Sequence, residues 1–323
     1  MATVLVTGGA GFIGSHVCQR LLGRGDSVVC LDNFNDYYDP AFKRENVAAL
    51  SAGGGFTLVE GDIRDPEAVE QAFSAVGRGG DGGAVVHLAA RAGVRPSLED
   101  PPLYQDVNVR GTVNMLEGAR RHGALSFVFG SSSSVYGSRR EVPFRETDDV
   151  TRPISPYAAT KLAGEALCYT YHHLYDIPIT CLRFFTVYGP RGRPDMAIYS
   201  FTKAVFEGRE IEMYGDGTTA RDYTYVDDIV DGILAALDRR LDYEIINLGE
   251  SQTTQLKDLI DLIAGAVGKP AKVRRGPERP GDVPITYADV SLARRLLDYD
   301  PKVKVPEGVP RFVEWYRKMR AGR

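Results

Sequence analysis

Cysteine is scarce in this chain. There are four in 323 residues, at positions 18, 30, 168 and 181, with no CxxC pair. That excludes a disulfide framework and a cysteine zinc site, and it suits reduced thiols in a cytosol. Each is expected to be a small buried hydrophobe, and no metal ligand set is read. Neither sign of charge is in excess: 39 Lys and Arg stand against 43 Asp and Glu, a net charge of -4. Nothing in that balance calls for nucleic acid or an anionic membrane. An anionic substrate would have to be held by local arginines. No apolar run approaches the ~20 residues of a membrane span. Residues 3–7 are apolar but run into glycines, with no basic leader and no small-residue cleavage site, so no signal peptide is expected. Repeats and low-complexity tails are absent. The length suffices for a large core and roughly two domains.

What is present begins with a turn of glycines. Thr3 to Thr7 reads as a short buried strand, followed by Gly8-Gly9-Ala10-Gly11-Phe12-Ile13-Gly14 and an apolar-periodic helix to about Arg24. Ser27 to Leu31 is a second strand, ending at Asp32. Glycines let a backbone approach a pyrophosphate, whose charge is met by the helix N-terminus. Asp32 would accept hydrogen bonds from both hydroxyls of an adenosine ribose and would repel a 2'-phosphate. The expected cofactor is therefore NAD rather than NADP. The spacing is GxxGxxG, not the usual GxGxxG.

The alternation continues with strands at Phe56 to Glu60, Ala84 to His87 and Ser126 to Phe129, and helices from Pro66 and from about Pro102 to His122. Gly53 to Gly55 and Gly77 to Gly83 read as loops. Such alternation argues for a parallel sheet with helices on both faces, where ligands bind beyond the carboxyl ends of the strands. Asp62, Ala89, Ser131 to Ser134 and Thr186 should share that rim.

Two clusters on the rim carry chemistry. Four serines, Ser131 to Ser134, directly follow a buried strand. Tyr157 and Lys161, four apart in a helix read over Ser155 to Tyr175, would leave one face together. A tyrosine titrates near 10, so service as a base near neutrality needs a shift of roughly 3 units, about 4 kcal/mol. A nearby ammonium favours the phenolate. A serine that orients a carbinol, a tyrosine that takes its proton and NAD as acceptor suit reversible oxidation.

In order, TGGAGFIGS, GDIRD, HLAA, SSSSVYG, YAATK, GPRGRPDMA and RDYTYVDD resemble the extended short-chain dehydrogenase/reductase family, and most closely its NAD-dependent sugar-nucleotide epimerases. The resemblance covers nearly the whole chain. It implies an α/β fold: a Rossmann-type doubly wound parallel sheet over residues 1–185, with a return at about 225–250, and a smaller α/β substrate domain over 186–323. It implies Ser132, Tyr157 and Lys161 as the catalytic triad, with Ser133 and Ser134 as candidates to share the first role. It places the cofactor, tightly bound and recycled, on Gly8, Gly11, Phe12, Ile13 and Gly14, then on Asp32, Asn33, Asp62 and Ile63. Leu88, Ala89, Ala90 and Arg91 follow, with Asn108, Phe184, Tyr157 and Lys161 completing the set.

The loop after Phe184 looks most like that of the UDP-glucuronate 4-epimerases, in which a Thr and an Arg hold the sugar's carboxylate. Those positions are Thr186 and Arg193. Arg191 and Arg193 together are also read as a guanidinium fork. By the same resemblance Arg221 and Arg279 bind the diphosphate of a UDP-sugar and Asp282 its ribose. Tyr214 lies near uracil, Ala197 borders the site, and Arg95 and Ser97 line the sugar pocket. The family's dehydratases carry an Asp-Glu pair before VYG; Ser133 and Ser134 stand there, so dehydration lacks its catalysts. Open alternatives are a neutral UDP-hexose epimerase, a UDP-glucuronate decarboxylase and a non-catalytic NAD sensor. A homodimer is expected through the helices at 102–122 and 155–175. Trp315, in a last helix from Pro306 to about Met319, is read as packing.

Overall fold

A computed structural model describes residues 2–77, 83–277 and 283–322. Its centre is a seven-stranded sheet. In chain order the strands are β1 (Thr3–Thr7), β2 (Ser27–Asp32), β3 (Phe56–Glu60), β4 (Ala84–His87), β5 (Ser126–Ser132), β6 (Ile179–Phe184) and, after a long excursion, Tyr243–Leu248. Three strands of other sheets intervene before the last, so it is β10; they are β7 (Thr186–Tyr188), β8 (Glu210–Tyr214) and β9 (Ala220–Tyr225). The sheet order is β10-β6-β5-β4-β1-β2-β3, and every pair is parallel. The order reverses between β1 and β4, which opens a crevice at their carboxyl ends.

Alternation along the strands explains why both faces are covered. Val4, Val6, Val86 and Val128 face one core, against helices Phe12–Gly23 and Val226–Arg239. Leu5, Val85, Phe127 and Phe129 face the other, against helices Pro66–Val76, Gly111–His122 and Pro156–Tyr175. Strands buried on both faces must be continuously apolar, as these are. The first core runs on into the C-terminal part, where Tyr199, Phe312 and Tyr316 are buried and Trp315 packs edge-on against Tyr199. Two small sheets complete that part: β7, β9 and β11 (Thr253–Gln255), and the parallel pair β8 and β12 (Lys272–Gly276).

Three local differences from the sequence expectations have physical causes. The helix expected over 102–122 is interrupted: residues Gln105–Arg110 are wound as a π-helix between Pro101–Tyr104 and Gly111–His122. Asn108, inside the wide turn, bonds to the backbone of Arg91 and to Thr160. Strand β5 runs to Ser132 instead of stopping at Phe129, because Ser131 is satisfied inside the sheet by the buried Glu165–Arg183 pair. Helix Pro40–Ser51, capped by Asp39, is not among the sequence expectations, nor are strand β7, strand β9, and the strands Thr253–Gln255 and Lys272–Gly276. All four cysteines are buried and free. No described helix is long and apolar enough to cross a membrane. Among the described residues no group of three or more His, Cys, Asp or Glu could hold a metal ion.

Candidate active site

The crevice is a cavity of about 370 Å³, within the range of small-molecule sites. Its floor at one end is the glycine turn. Gly11 caps helix Phe12–Gly23 with extended backbone and no side-chain hydrogen bond, and no acidic residue lies in the first turn. The helix N-terminus is thus open to an anion. A Cβ on Gly14 would lie 2.2 Å from the Gly8 carbonyl oxygen, and one on Gly8, at φ +69°, would lie 2.9 Å from the Ala89 nitrogen. Only glycine permits this closeness.

Asp32 ends β2 at the cavity wall. Its carboxylate accepts from the backbone of Ala10 (3.2 Å) and Phe34 (2.9 Å), and the buried Lys43 ammonium stands 3.5 Å away. Asp62 accepts from Asn33 (2.7 Å) and from Arg64. Burial opposes its charge, but those bonds prevail and hold its pKa down to about 2. An uncapped helix N-terminus, glycines with no room for side chains and acids at the next two strand ends fit the diphosphate and ribose of NAD.

At the other end, Ser132 closes β5 in extended conformation and caps the turn Ser133–Tyr136, its Oγ accepting from the Ser134 nitrogen at 3.2 Å. The same hydroxyl donates to Ser134 Oγ at 3.2 Å. Ser155 caps the helix carrying Tyr157, accepting from Ala158 N at 3.1 Å, and Pro156 supplies its first turn. Lys161, one turn on, is buried, and its Nζ donates to the Gly130 carbonyl oxygen at 2.6 Å. Burial lowers its pKa to about 8. Burial also raises the Tyr157 phenol, against a hydrogen bond with Ser132 and the charge of Arg193, which pull it down. The charge of Arg193 thus favours the phenolate, and the Lys161 ammonium is anchored on the strand carbonyl.

Behind this end lies a buried chain of hydrogen bonds. Thr7 Oγ1 accepts from the backbone of Leu88 and Ala89, so its proton goes to His87 Nδ1, 2.7 Å away. His87 Nε2–H then donates to Thr112 Oγ1 (3.1 Å), which donates to the Asn108 carbonyl (2.6 Å). Burial, with the Lys161 charge, keeps His87 neutral, its pKa near 3.

Of the residues singled out in the sequence, the cavity brings together Gly8, Gly11, Phe12, Ile13, Gly14, Asp32, Asn33, Asp62, Ile63 and Leu88 to Ala90, with Ser132 to Ser134, Tyr157, Lys161, Phe184, Thr186 and Arg193. It does not include Arg91, whose guanidinium lies over the Tyr37 ring, or Asn108, whose amide braces Arg91 and Thr160. Arg95 and Tyr214 stand together outside it, 5.8 Å from guanidinium to ring. Ser97 is buried on the Val94 carbonyl, Ala197 opens a helix, and Arg221 reaches the Ala220 carbonyl. Arg279 and Asp282 lie outside the described residues.

Arg191 and Arg193 do not form one fork. Arg191, at φ +61°, turns back to Gln19 (2.7 Å) and Ser15 (3.4 Å). Arg193 turns into the cavity and pairs with Asp195. Sequence reasoning passed over Asn35, Tyr37, Tyr38 and Lys43, all of which line the cavity. The signal was available: two adjacent tyrosines just beyond the acidic end of a rim strand.

The NAD dependent epimerase/dehydratase family model matches residues 4–249. The chain belongs to that family. Among its similar proteins is the UDP-glucuronate 4-epimerase of Thermodesulfobacterium geofontis, 44% identical over 98% of this chain and 97% of the relative. The Bacillus cereus UDP-glucuronic acid 4-epimerase, solved with UDP-glucuronic acid and NAD, superposes with a TM-score of 0.91 at 36% identity, covering 98% of this chain and 99% of that one. A dTDP-glucose 4,6-dehydratase from Streptomyces venezuelae, solved with NAD, reaches the same TM-score at 30% identity, covering 99% and 98%. The epimerase/dehydratase fold therefore does not choose the reaction; the cavity residues must.

Proposed function

We propose that this chain interconverts UDP-glucuronate and UDP-galacturonate as an NAD-dependent 4-epimerase. The observation that carries the reading is that Arg193 and Thr186 line the same cavity as Ser132, Tyr157 and Lys161. A guanidinium beside the oxidising end suits a sugar with a carboxylate. Dehydration would need an acid and a base beside Tyr157. Among the described lining residues the carboxylates are Asp32 and Asp62, at the end that suits the adenosine.

NAD, when bound, supplies the reversible acceptor for the hydrogen at carbon 4. The protein's work is proton handling and grip. Tyr157 takes the proton of the 4-hydroxyl and returns it, Ser132 orients that hydroxyl, and Lys161 fixes the floor beneath them and would hold the nicotinamide ribose when NAD is bound. A 4-keto uronate is a β-keto acid, which loses carbon dioxide when its carboxylate bond stands perpendicular to the ketone plane. Thr186 and Arg193 hold the carboxylate near that plane while the sugar turns over. The cofactor side is read as residues 1–185 with the return at 225–250, and the UDP-sugar side as 186–323. Exposed Tyr169, Leu174 and Tyr175 on helix Pro156–Tyr175 support a homodimer seam. The four free thiols support a cytoplasmic setting.

The test is incubation with UDP-glucuronate, without added NAD, followed by proton NMR. UDP-galacturonate is the expected product. A UDP-pentose would replace the reading with decarboxylation, and turnover of UDP-glucose in preference would replace it with a neutral-sugar epimerase.

A further inference from the structure

Tyr37 stands where three segments meet. It belongs to the loop that leaves β2 just past Asp32, and it lines the cavity. Two guanidiniums lie over its ring, Arg91 at 5.1 Å from the centroid and Arg193 at 5.3 Å. Its hydroxyl donates to Asp195 Oδ2 at 3.3 Å. Beside that hydroxyl the loop after β4 carries Gly93 at φ +105°, where a Cβ would lie 2.8 Å from the Tyr37 oxygen. No side chain fits between them.

Asp195 in turn occupies one edge of Arg193, accepting from Nε at 3.0 Å and Nη2 at 2.6 Å. Nη1 makes no hydrogen bond to another described residue, and a fifth of the side chain (20%) remains exposed. Arg193 is thus held along one edge by Asp195 and near the Tyr37 ring, with Nη1 left for a ligand. Two cations on one ring would repel each other. The ring's π electrons attract both and offset that repulsion.

We infer that Tyr37 is a positioning residue for uronate recognition, clamping Arg193 directly through its ring and indirectly through Asp195, so that the cofactor-side loop sets the aim of the carboxylate grip. This rests on the uronate reading of the Arg193 site. Because Tyr37 lies five residues past Asp32, the clamp also ties carboxylate recognition to the loop that borders the adenosine end.

The test uses holoenzyme carrying Tyr37→Leu or Tyr37→Phe, titrated calorimetrically with UDP-glucuronate and, separately, with UDP-glucose. Tyr37→Leu is expected to weaken UDP-glucuronate about tenfold while UDP-glucose changes less than about twofold. Tyr37→Phe, which keeps the ring and loses the bond to Asp195, should weaken UDP-glucuronate about threefold. Cofactor retained through gel filtration, read by absorbance, should match the unsubstituted protein. An unchanged ratio of the two affinities in both variants overturns the inference. Equal weakening of both nucleotides, or loss of cofactor in proportion to loss of binding, makes Tyr37 a mere wall and also overturns it. If the unsubstituted protein binds UDP-glucose as well as UDP-glucuronate, the uronate reading fails instead; that result is separate from any effect of the substitutions.

Discussion

Lys161 Nζ and the carbonyl oxygen of Gly130 are joined by a 2.6 Å hydrogen bond that anchors the helix bearing Tyr157 to the end of β5. Gly130 lies two residues before Ser132, so one bond fixes the distance between the helix bearing Tyr157 and the strand bearing the serine. Lys161→Met keeps the bulk and removes the donor. It is expected to lower kcat by about 10²–10³ and to weaken NAD retention, measured by steady-state assay and by cofactor content after gel filtration.

Tyr157→Phe should lower turnover by about 10³ or more while leaving UDP-sugar affinity nearly intact. Among the serines, Ser132 alone has its hydroxyl bonded to Ser134 and set against Tyr157. Ser132→Ala should therefore cost about 10² in kcat, and Ser133→Ala less than about tenfold. A larger loss at Ser133 would reassign the role.

Arg193→Ala removes the guanidinium from the cavity and leaves Asp195 without its cation. Affinity for UDP-glucuronate should fall by about tenfold or more, and a UDP-pentose should appear with release of carbon dioxide. NMR of the products decides this. Unchanged affinity with no pentose would sink the idea that Arg193 grips and orients the carboxylate.

His87 makes stability depend on pH. Its folded pKa, near 3, lies below the unfolded value of about 6.5, so the unfolded chain binds more protons between those limits. This contribution is complete above pH 6.5 and is lost as the pH falls towards 3. By pH 5 the loss amounts to about 2 kcal/mol. Urea melts at pH 7 and pH 5 should show the stability change between the two pH values shifting by about that amount when His87→Gln is compared with the unsubstituted protein.

Leu174 is 58% exposed near the end of the helix that bears Tyr157. If that face pairs with a second copy, Leu174→Glu should give a monomer by sedimentation with its fold intact. A native-like dimer in that variant would move the seam elsewhere.

The sheet was legible because its strands obey simple periodicities: Val4, Leu5 and Val6 must be apolar on both faces, and Asp32 marks a strand's end. The residues gathered at the carboxyl end of β5 were legible as a serine run and a Tyr-Lys spacing. Less accessible were features set by partners distant in sequence. Ser131 looks like loop until Glu165 and Arg183, 34 and 52 residues on, are seen to bury it. Arg191 and Arg193 look like a pair until the backbone at Arg191 reverses their directions. Tyr37 carries no motif, and its place is decided by Arg91, Gly93, Arg193 and Asp195, none of them its neighbour in sequence.

A π-helical turn holds more residues than the α-helical turn it replaces. In Gln105–Arg110 that extra length turns Asn108 toward Arg91 and Thr160, joining the loop after β4 to the helix of Tyr157. Excising a single residue there would restore ordinary α winding with the flanking helices still in phase, and it would take away the wide turn that brings Asn108 to Arg91 and Thr160. Substitutions at exposed Gln105 or Arg110 leave the winding alone. What descent must preserve along this segment is a length more than a composition, so lineages can rewrite its surface freely but cannot shorten it.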